Sequence, residues 1–134
     1  MTEMLGRLEP VARNALRIVI GFLFWSHGAQ KLFGWLGGEP VELMSRFGVA
    51  GVLEFFGGAL IVLGLFTQPV AFVLSGEMAV AYFWMHVPRG DSLWPWVNRG
   101  EVAAVYCFVF LFLAASGGGS FSLEGLMKRK TTDH

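Results

Sequence analysis

Cysteine and charge are what this sequence has least of. Of its 134 residues, only Cys107 is a cysteine, and 15% are Asp, Glu, Lys or Arg. A single cysteine excludes an intrachain disulfide, a CxxC redox pair and a thiolate metal cage. Soluble domains are usually about a quarter charged, so this charge content is low for a soluble protein. The formal net charge of zero leaves no basic surface of the kind that nucleic acids require.

Apolar and aromatic residues take the place of the missing charge. The chain is 54% apolar, its mean hydropathy is +0.57, and it contains five Trp and 13 Phe. Membrane proteins use such rings as lipid-facing mass and as anchors at the interface. The composition therefore predicts an integral membrane protein.

Four windows approach the length of about 20 apolar residues that a helix needs to cross the hydrocarbon core. They are residues 11–33, 48–66, 69–87 and 100–116. The first carries Arg17 and lacks an A-x-A cleavage site, so we expect a retained span and not a signal peptide. Backbone polar groups in lipid must be satisfied within their own segment, which favours helices. We predict an all-α, four-helix membrane bundle, one domain over residues 1–134, with a polar, frayed tail at 126–134.

The distribution of Lys and Arg between the connections predicts the orientation. With four spans, one side of the membrane holds Arg7, Arg13 and the basic residues 128–130. On the other side, acidic residues accompany the Lys and Arg side chains. We expect a multi-pass protein of the bacterial cytoplasmic (inner) membrane with both termini in the cytoplasm. Four tryptophans would then form an aromatic belt at the opposite face: Trp35, Trp84, Trp94 and Trp96.

Ionisable and amide side chains inside the predicted spans are the candidate functional residues. Such groups are costly in lipid and usually mark a ligand, ion or proton site. Counting along the helices places most of them in one half of the bundle, with Glu77 near the middle of the membrane and Arg17 alone in the other half. Gly51 and Gly58 share a helical face with Glu54, which should direct that carboxylate against protein. The candidate set for ligand binding or proton relay is His27, Gln30, Lys31, Glu54, Glu77, His86, Asn98 and Glu101.

Each candidate also has a structural interpretation. Lys31 could extend its ammonium group to the interface, the two histidines could be packing residues, and Glu101 could stabilise a helix N-terminus. Glu54 and Glu77 fit this interpretation least, because an unpaired ionised carboxylate in the membrane costs several kcal/mol. A structural ion-pair network and a ligand or proton site both remain open at this point.

Several stretches, taken in order, carry a family resemblance. They are HGAQKLFGW at 27–35, GVLEFFGGALIVLGLFTQP at 51–69, GEMAVAYFWMHVPRG at 76–90, NRGE at 98–101 and GGGSFSLEG at 117–125. With these motifs the chain resembles the DoxX family of small four-helix bacterial membrane proteins over nearly its whole length. Arg99 departs from the pattern, since family members often have a small residue there.

The resemblance implies a connection to membrane redox chemistry. Relatives serve as the membrane subunit of a thiosulfate:quinone oxidoreductase or are associated with oxidative-stress and thiol-redox complexes. On that basis we expect a membrane subunit of a redox complex, with a polar intramembrane pocket for a quinone or another small ligand. A redox partner protein, soluble or membrane-bound, is implied, and the oligomeric state, including a homo-oligomer, stays open. No catalytic residue can be named, no cofactor is certain, and no metal is expected.

Three other functions compete with this one. A small proton-coupled transporter would explain buried acids, although four short spans give little room for alternating access. A metal or haem site would use the histidines and carboxylates, but no Glu-x-x-His pair occurs. A non-catalytic accessory or scaffold subunit would use the polar set only to hold the bundle together.

Overall fold

The computed structural model describes residues 1–40, 42 and 45–132, without the side chains of 131 and 132. Every regular element in that part of the chain is helical, as the sequence predicts. The elements in order are α1 (Thr2–Gly6), α2 (Glu9–Phe33), α3 (Arg46–Leu63), α4 (Thr67–Ala81), a π-helical segment (Tyr82–His86), α5 (Val87–Gly90), α6 (Pro95–Asn98), α7 (Glu101–Ser116) and α8 (Leu123–Thr132).

Two of the described helical stretches are long and apolar enough to cross a membrane. They are Arg46–Leu63 and the continuous stretch Thr67–Gly90, which joins α4, the π-helical segment and α5. The 25-residue α2 is long enough, but its own polar residues, among them Arg17 and Lys31, lower its apolarity. With 16 residues, α7 is apolar but spans only about 24 Å of a roughly 30 Å hydrocarbon core.

Local sequence signals set the helix ends that shape the bundle. The Ser45 hydroxyl accepts a hydrogen bond from the Gly48 backbone N–H at 3.1 Å and so caps the start of α3. At the other ends, α2 stops at Gly34 and α3 at Gly64, both with left-handed backbone that glycine adopts without strain. Sharp ends of this kind allow short connections between neighbouring helices.

Glycine brings α2 and α3 into backbone contact. A Cβ on Gly28 would lie 2.3 Å from the Phe55 backbone nitrogen, and one on Gly58 would lie 2.6 Å from that of Trp25. Small residues permit this close approach between membrane helices. The main apolar core lies between the two helix pairs, α2 with α3 and α4 with α7. Its most buried large apolar side chains are Phe24, Ile61, Leu74, Phe110 and Leu113.

Arg17 joins the N-terminal half of α2 to the segment after α7. Its side chain is 1% exposed, and its guanidinium donates hydrogen bonds to the backbone oxygens of Gly118 at 2.5 Å and Phe121 at 2.6 Å. The Asn14 side-chain oxygen accepts from Arg17 at 3.1 Å and from the Phe121 N–H at 3.2 Å. Arg17 is thus a structural clamp at the end of the molecule away from the candidate site.

The C-terminal segment is helical where the sequence predicted a frayed tail. Residues 123–132 form α8, and residues 133 and 134 lie outside the described part of the chain. The Glu124 backbone N–H donates to the Gly64 carbonyl at 3.1 Å, while its carboxylate accepts from the Thr67 N–H at the start of α4. These tertiary bonds hold the first turn of α8 against the α3–α4 turn, which the polar composition of the segment could not reveal.

A candidate ligand cavity

A cavity of about 900 Å³ lies between α2, α3, α7 and the helical stretch Thr67–Gly90. Its walls are mostly apolar, with Leu53, Val73, Met78 and Ala103 among the lining residues. A few polar groups from separate helices converge on it. This combination of size, apolar lining and sparse polar groups is typical of small-ligand sites.

Lys31 and Glu54 form an ion pair at the cavity wall between α2 and α3. The Lys31 ammonium nitrogen lies 2.8 Å from Glu54 Oε1. Glu54 is only 3% exposed, since Gly51 and Gly58 on its face allow α2 to approach closely. Its second oxygen, Oε2, has no hydrogen-bond partner among the described residues. The pair therefore leaves one carboxylate oxygen without a donor.

Glu77 on α4 lines the same cavity and has no partner of its own. Neither of its carboxylate oxygens makes a hydrogen bond within the described chain, and both are shielded from solvent. Lys31 pairs with Glu54 and not with Glu77, so no cation among the described residues contacts the Glu77 carboxylate. A buried carboxylate in that position needs a proton or a ligand group to offset its charge.

His27 and Tyr106 meet in the cavity wall, with His27 one helical turn before Lys31 on α2. Their ring centroids are 6.2 Å apart in an edge-to-face arrangement. Tyr106 packs its ring against Phe24 and Phe110 in the core, and its hydroxyl makes no hydrogen bond to any described residue. The hydroxyl and the imidazole are therefore available to a ligand as donors or acceptors.

The π-helical segment shapes the part of the wall near the third connection, which is residues 91–100 between α5 and α7. Three of its residues, Trp84, Met85 and His86, line the cavity, and Arg89 follows one turn later. A π-helical turn widens a helix and rotates the residues that follow it, a distortion often found at functional sites. The distortion allows Glu77 and His86 to line one cavity although they lie nine positions apart.

Five of the eight residues predicted from sequence line the cavity, and three do not. The five are His27, Lys31, Glu54, Glu77 and His86. Gln30 instead donates to the Leu36 carbonyl at 3.1 Å and orders the first connection. Glu101 is exposed at the first position of α7, where the negative charge of a carboxylate interacts favourably with the helix dipole and stabilises the helix.

Asn98 organises the third connection. Its side chain donates to the Ser92 carbonyl at 2.9 Å and to the Tyr82 hydroxyl at 3.2 Å, and its oxygen accepts from the Gly100 N–H at 2.8 Å. It is 2% exposed and has no position in the cavity wall. The buried side-chain amide of Asn98 therefore has hydrogen-bond partners within the third connection and on Tyr82.

Sequence reasoning missed four polar cavity residues: Ser45, Arg46, Arg89 and Tyr106. The two arginines looked like loop charges, yet His86 and Arg89 are three positions apart and so share a helical face. Tyr106 was one of only two tyrosines and lay inside an apolar run. Its hydroxyl was the available signal, since a buried tyrosine usually directs that group to a partner or a cavity.

Metal ligands do not gather in the described part of the chain. No group of three or more His, Cys, Asp or Glu side chains there could hold a metal ion. The ionisable groups that line the cavity are one ammonium, two guanidinium groups, two imidazoles, one phenol and two separate carboxylates.

Comparison with known proteins identifies the family. The sequence profile of the DoxX family matches residues 12–87. A Haemophilus influenzae protein described as uncharacterized is 38% identical, over 94% of this chain and 98% of its own length. Two Escherichia coli proteins, the inner membrane proteins YphA and YqjF, are 29% and 28% identical, over 89% and 92% of this chain and 92% and 98% of their own lengths. No solved structure matches the chain. The profile match and the near full-length relatives together show that this chain is a membrane protein of the DoxX family.

Proposed function

We propose that the chain forms one membrane domain that crosses the inner membrane four times, with both termini in the cytoplasm. Packing of α2 along α3 and of α7 along α4 supports four antiparallel crossings. The length of α7 is less than the thickness of the hydrocarbon core by an amount that local thinning of the bilayer can accommodate. The two inner membrane relatives from Escherichia coli support the same location.

Within this topology, the protein acts as the membrane subunit of a redox complex and binds a quinone-type ligand in the cavity. The observation that carries this proposal is the 900 Å³ apolar cavity with an incompletely paired Lys31–Glu54–Glu77 group in its wall. Lys31 and Tyr106 can donate hydrogen bonds to a quinone carbonyl. A quinone that receives two electrons also takes up two protons, and the two carboxylates are placed to relay them. The electrons come from a partner protein, because the chain has no cysteine pair to supply them.

Binding of a short-chain ubiquinone analogue to the protein in nanodiscs, followed by ultraviolet difference spectroscopy, tests this function. A Cβ at Gly76 would meet nothing within 4 Å, and this glycine lines the cavity, so Gly76→Leu fills the site without disturbing the packing. Gly6 also faces open space, but at the end of α1 outside the cavity, so Gly6→Leu is the matched control. We expect saturable binding to the wild type and the control, and its loss in Gly76→Leu.

The quinone proposal fails if the wild type shows no saturable binding, or if Gly76→Leu binds as well as the control. Glu54→Gln gives a second measurement, because it keeps the shape of the side chain and removes the charge that Lys31 pairs with. Quinone affinity should fall in Glu54→Gln. If only stability changed, and no ligand bound to any variant, a scaffold role would replace the redox role.

A proton-coupled transporter is the second candidate, and Glu77 favours it. Both oxygens of this carboxylate are shielded and without a partner, as expected of a group that alternates between a proton and another ligand. Proteoliposomes with a trapped pH dye would show proton movement when a pH gradient is applied. Proton flux in the wild type and none in Glu77→Gln would favour transport over quinone binding.

A further inference from the structure

The cavity opens sideways between α3 and α4. Near the turn that joins them the two helices touch, since a Cβ on Gly57 would lie 2.9 Å from a Leu74 methyl carbon. Farther from the turn, the lining residues Val49 on α3 and Val80 on α4 are each about half exposed. Exposed apolar side chains on both edges of the gap leave the cavity open to the hydrocarbon of the bilayer.

The rim of this opening is basic. Arg46, at the first position of α3, and Arg89, on α5, both line the cavity together with His86. The side chain of none of the three makes an ion pair or a hydrogen bond with any residue in the described ranges 1–40, 42 and 45–132. The unpartnered oxygens of Glu54 and Glu77 are shielded from solvent, so they cannot neutralise the rim by direct contact. Among the residues that line the cavity, the charged groups accessible at its mouth are therefore cations.

Tryptophan places the rim at the level of the lipid head groups. Trp84 lies in the cavity wall and is 63% exposed, and Trp94 and Trp96 stack with ring centroids 5.2 Å apart on the adjoining connection. Such rings concentrate at the membrane–water interface. The cationic rim at that depth is complementary to the phosphate of an anionic phospholipid. The apolar gap beside it is complementary to an acyl chain.

We propose that the rim binds an anionic phospholipid of the surrounding bilayer, with its phosphate on Arg46 and Arg89 and one acyl chain in the α3–α4 gap. His86 contributes a further hydrogen-bond donor to the phosphate. Two guanidinium groups suit this role, because arginine recognises phosphate with paired N–H donors. This site goes beyond the quinone site: it uses the rim, while the Lys31–Glu54–Glu77 group remains free for a ligand in the deeper part of the cavity.

Phospholipids with brominated acyl chains provide the test, because bromine quenches tryptophan fluorescence at short range. The full chain is reconstituted in mixtures of brominated phosphatidylglycerol or brominated phosphatidylcholine with the unbrominated partner lipid. Trp84 reports on the proposed site, and Trp84→Phe identifies its share of the signal. We expect the wild type to prefer phosphatidylglycerol by about tenfold at the Trp84 site, since each arginine near the surface adds to the attraction.

The double variant Arg46→Gln/Arg89→Gln should lose that preference. Arg99→Gln is the matched control, since Arg99 is exposed on the same side of the molecule but does not line the cavity. Equal quenching by the two lipids in the wild type, or an unchanged preference in the double variant, overturns the proposal. The lipid proposal and the quinone proposal can be overturned independently. The double variant should still bind the ubiquinone analogue, whereas Gly76→Leu should not bind it.

Discussion

The Lys31 ammonium nitrogen lies 2.8 Å from Glu54 Oε1 and joins the last turn of α2 to the buried face of α3. Glu54 is almost fully buried, while the Lys31 side chain is 29% exposed. The pair therefore couples a partly exposed cation to a carboxylate that is almost fully buried. Removal of either partner has a different consequence from removal of both.

Lys31→Met should destabilise the fold by about 2 kcal/mol, because it leaves the Glu54 charge buried without its cation. The double variant Lys31→Met/Glu54→Gln should recover most of that loss, since no uncompensated charge remains. SDS titration of the protein in mixed micelles measures both free energies of unfolding. Glu54→Gln completes the cycle, and if the loss in the double variant equalled the sum of the two single losses, the two side chains would not be coupled in the folded protein.

Gly28→Ala should destabilise the α2–α3 interface by about 1–3 kcal/mol, because its Cβ would lie 2.3 Å from the Phe55 backbone nitrogen. The backbone of α3 cannot move aside as a flexible side chain could. Gly76→Ala is the matched control on α4, where the added Cβ meets nothing within 4 Å. There the substitution should be neutral or slightly stabilising, since alanine favours helix more than glycine does. A neutral Gly28→Ala would contradict the close approach of the two helices.

Arg17→Met should release the segment after α7 from the rest of the bundle. The variant loses the donors to the Gly118 and Phe121 carbonyls, at a cost of about 2 kcal/mol for charge-assisted bonds. Hydrogen exchange should increase over residues 117–125 more than in the core of α3. Arg13→Gln serves as control, because among the described residues Arg13 pairs only with Glu9, one turn away on the surface. Unchanged exchange in Arg17→Met would argue against the clamp.

Cysteine labelling tests the proposed topology in a background of Cys107→Ser. In intact cells with a permeabilised outer membrane, a membrane-impermeant maleimide should react with Leu93→Cys, on the third connection. Gly6→Cys, at the end of α1, should react only after the cells are lysed. The reverse pattern would place the termini outside the cytoplasm, and labelling of both sites in intact cells would exclude an odd number of crossings between them.

Sequence patterns predicted most helices of the bundle and the burial of Glu54, because hydropathy and glycine spacing act within one helix. They could not separate Gln30 from His27 as cavity residues, although the two lie less than one turn apart. That distinction depends on the rotation of α2 about its axis, which packing against α3 fixes. Arg46 and Arg89 were missed for a related reason: each looked like a connection charge until the ends of two helices were brought to one rim.

The sequence by itself determined that this protein is helical, belongs in a membrane and carries acids on apolar helices, since these properties follow from composition and local periodicity. Only the tertiary structure decided which polar groups share a space. The cavity exists because α3 and α4 touch near Gly57 and separate toward their other ends, while the π-helical segment turns His86 toward the same opening. Contacts between residues far apart in the chain determine that geometry, and no single helix contains the information.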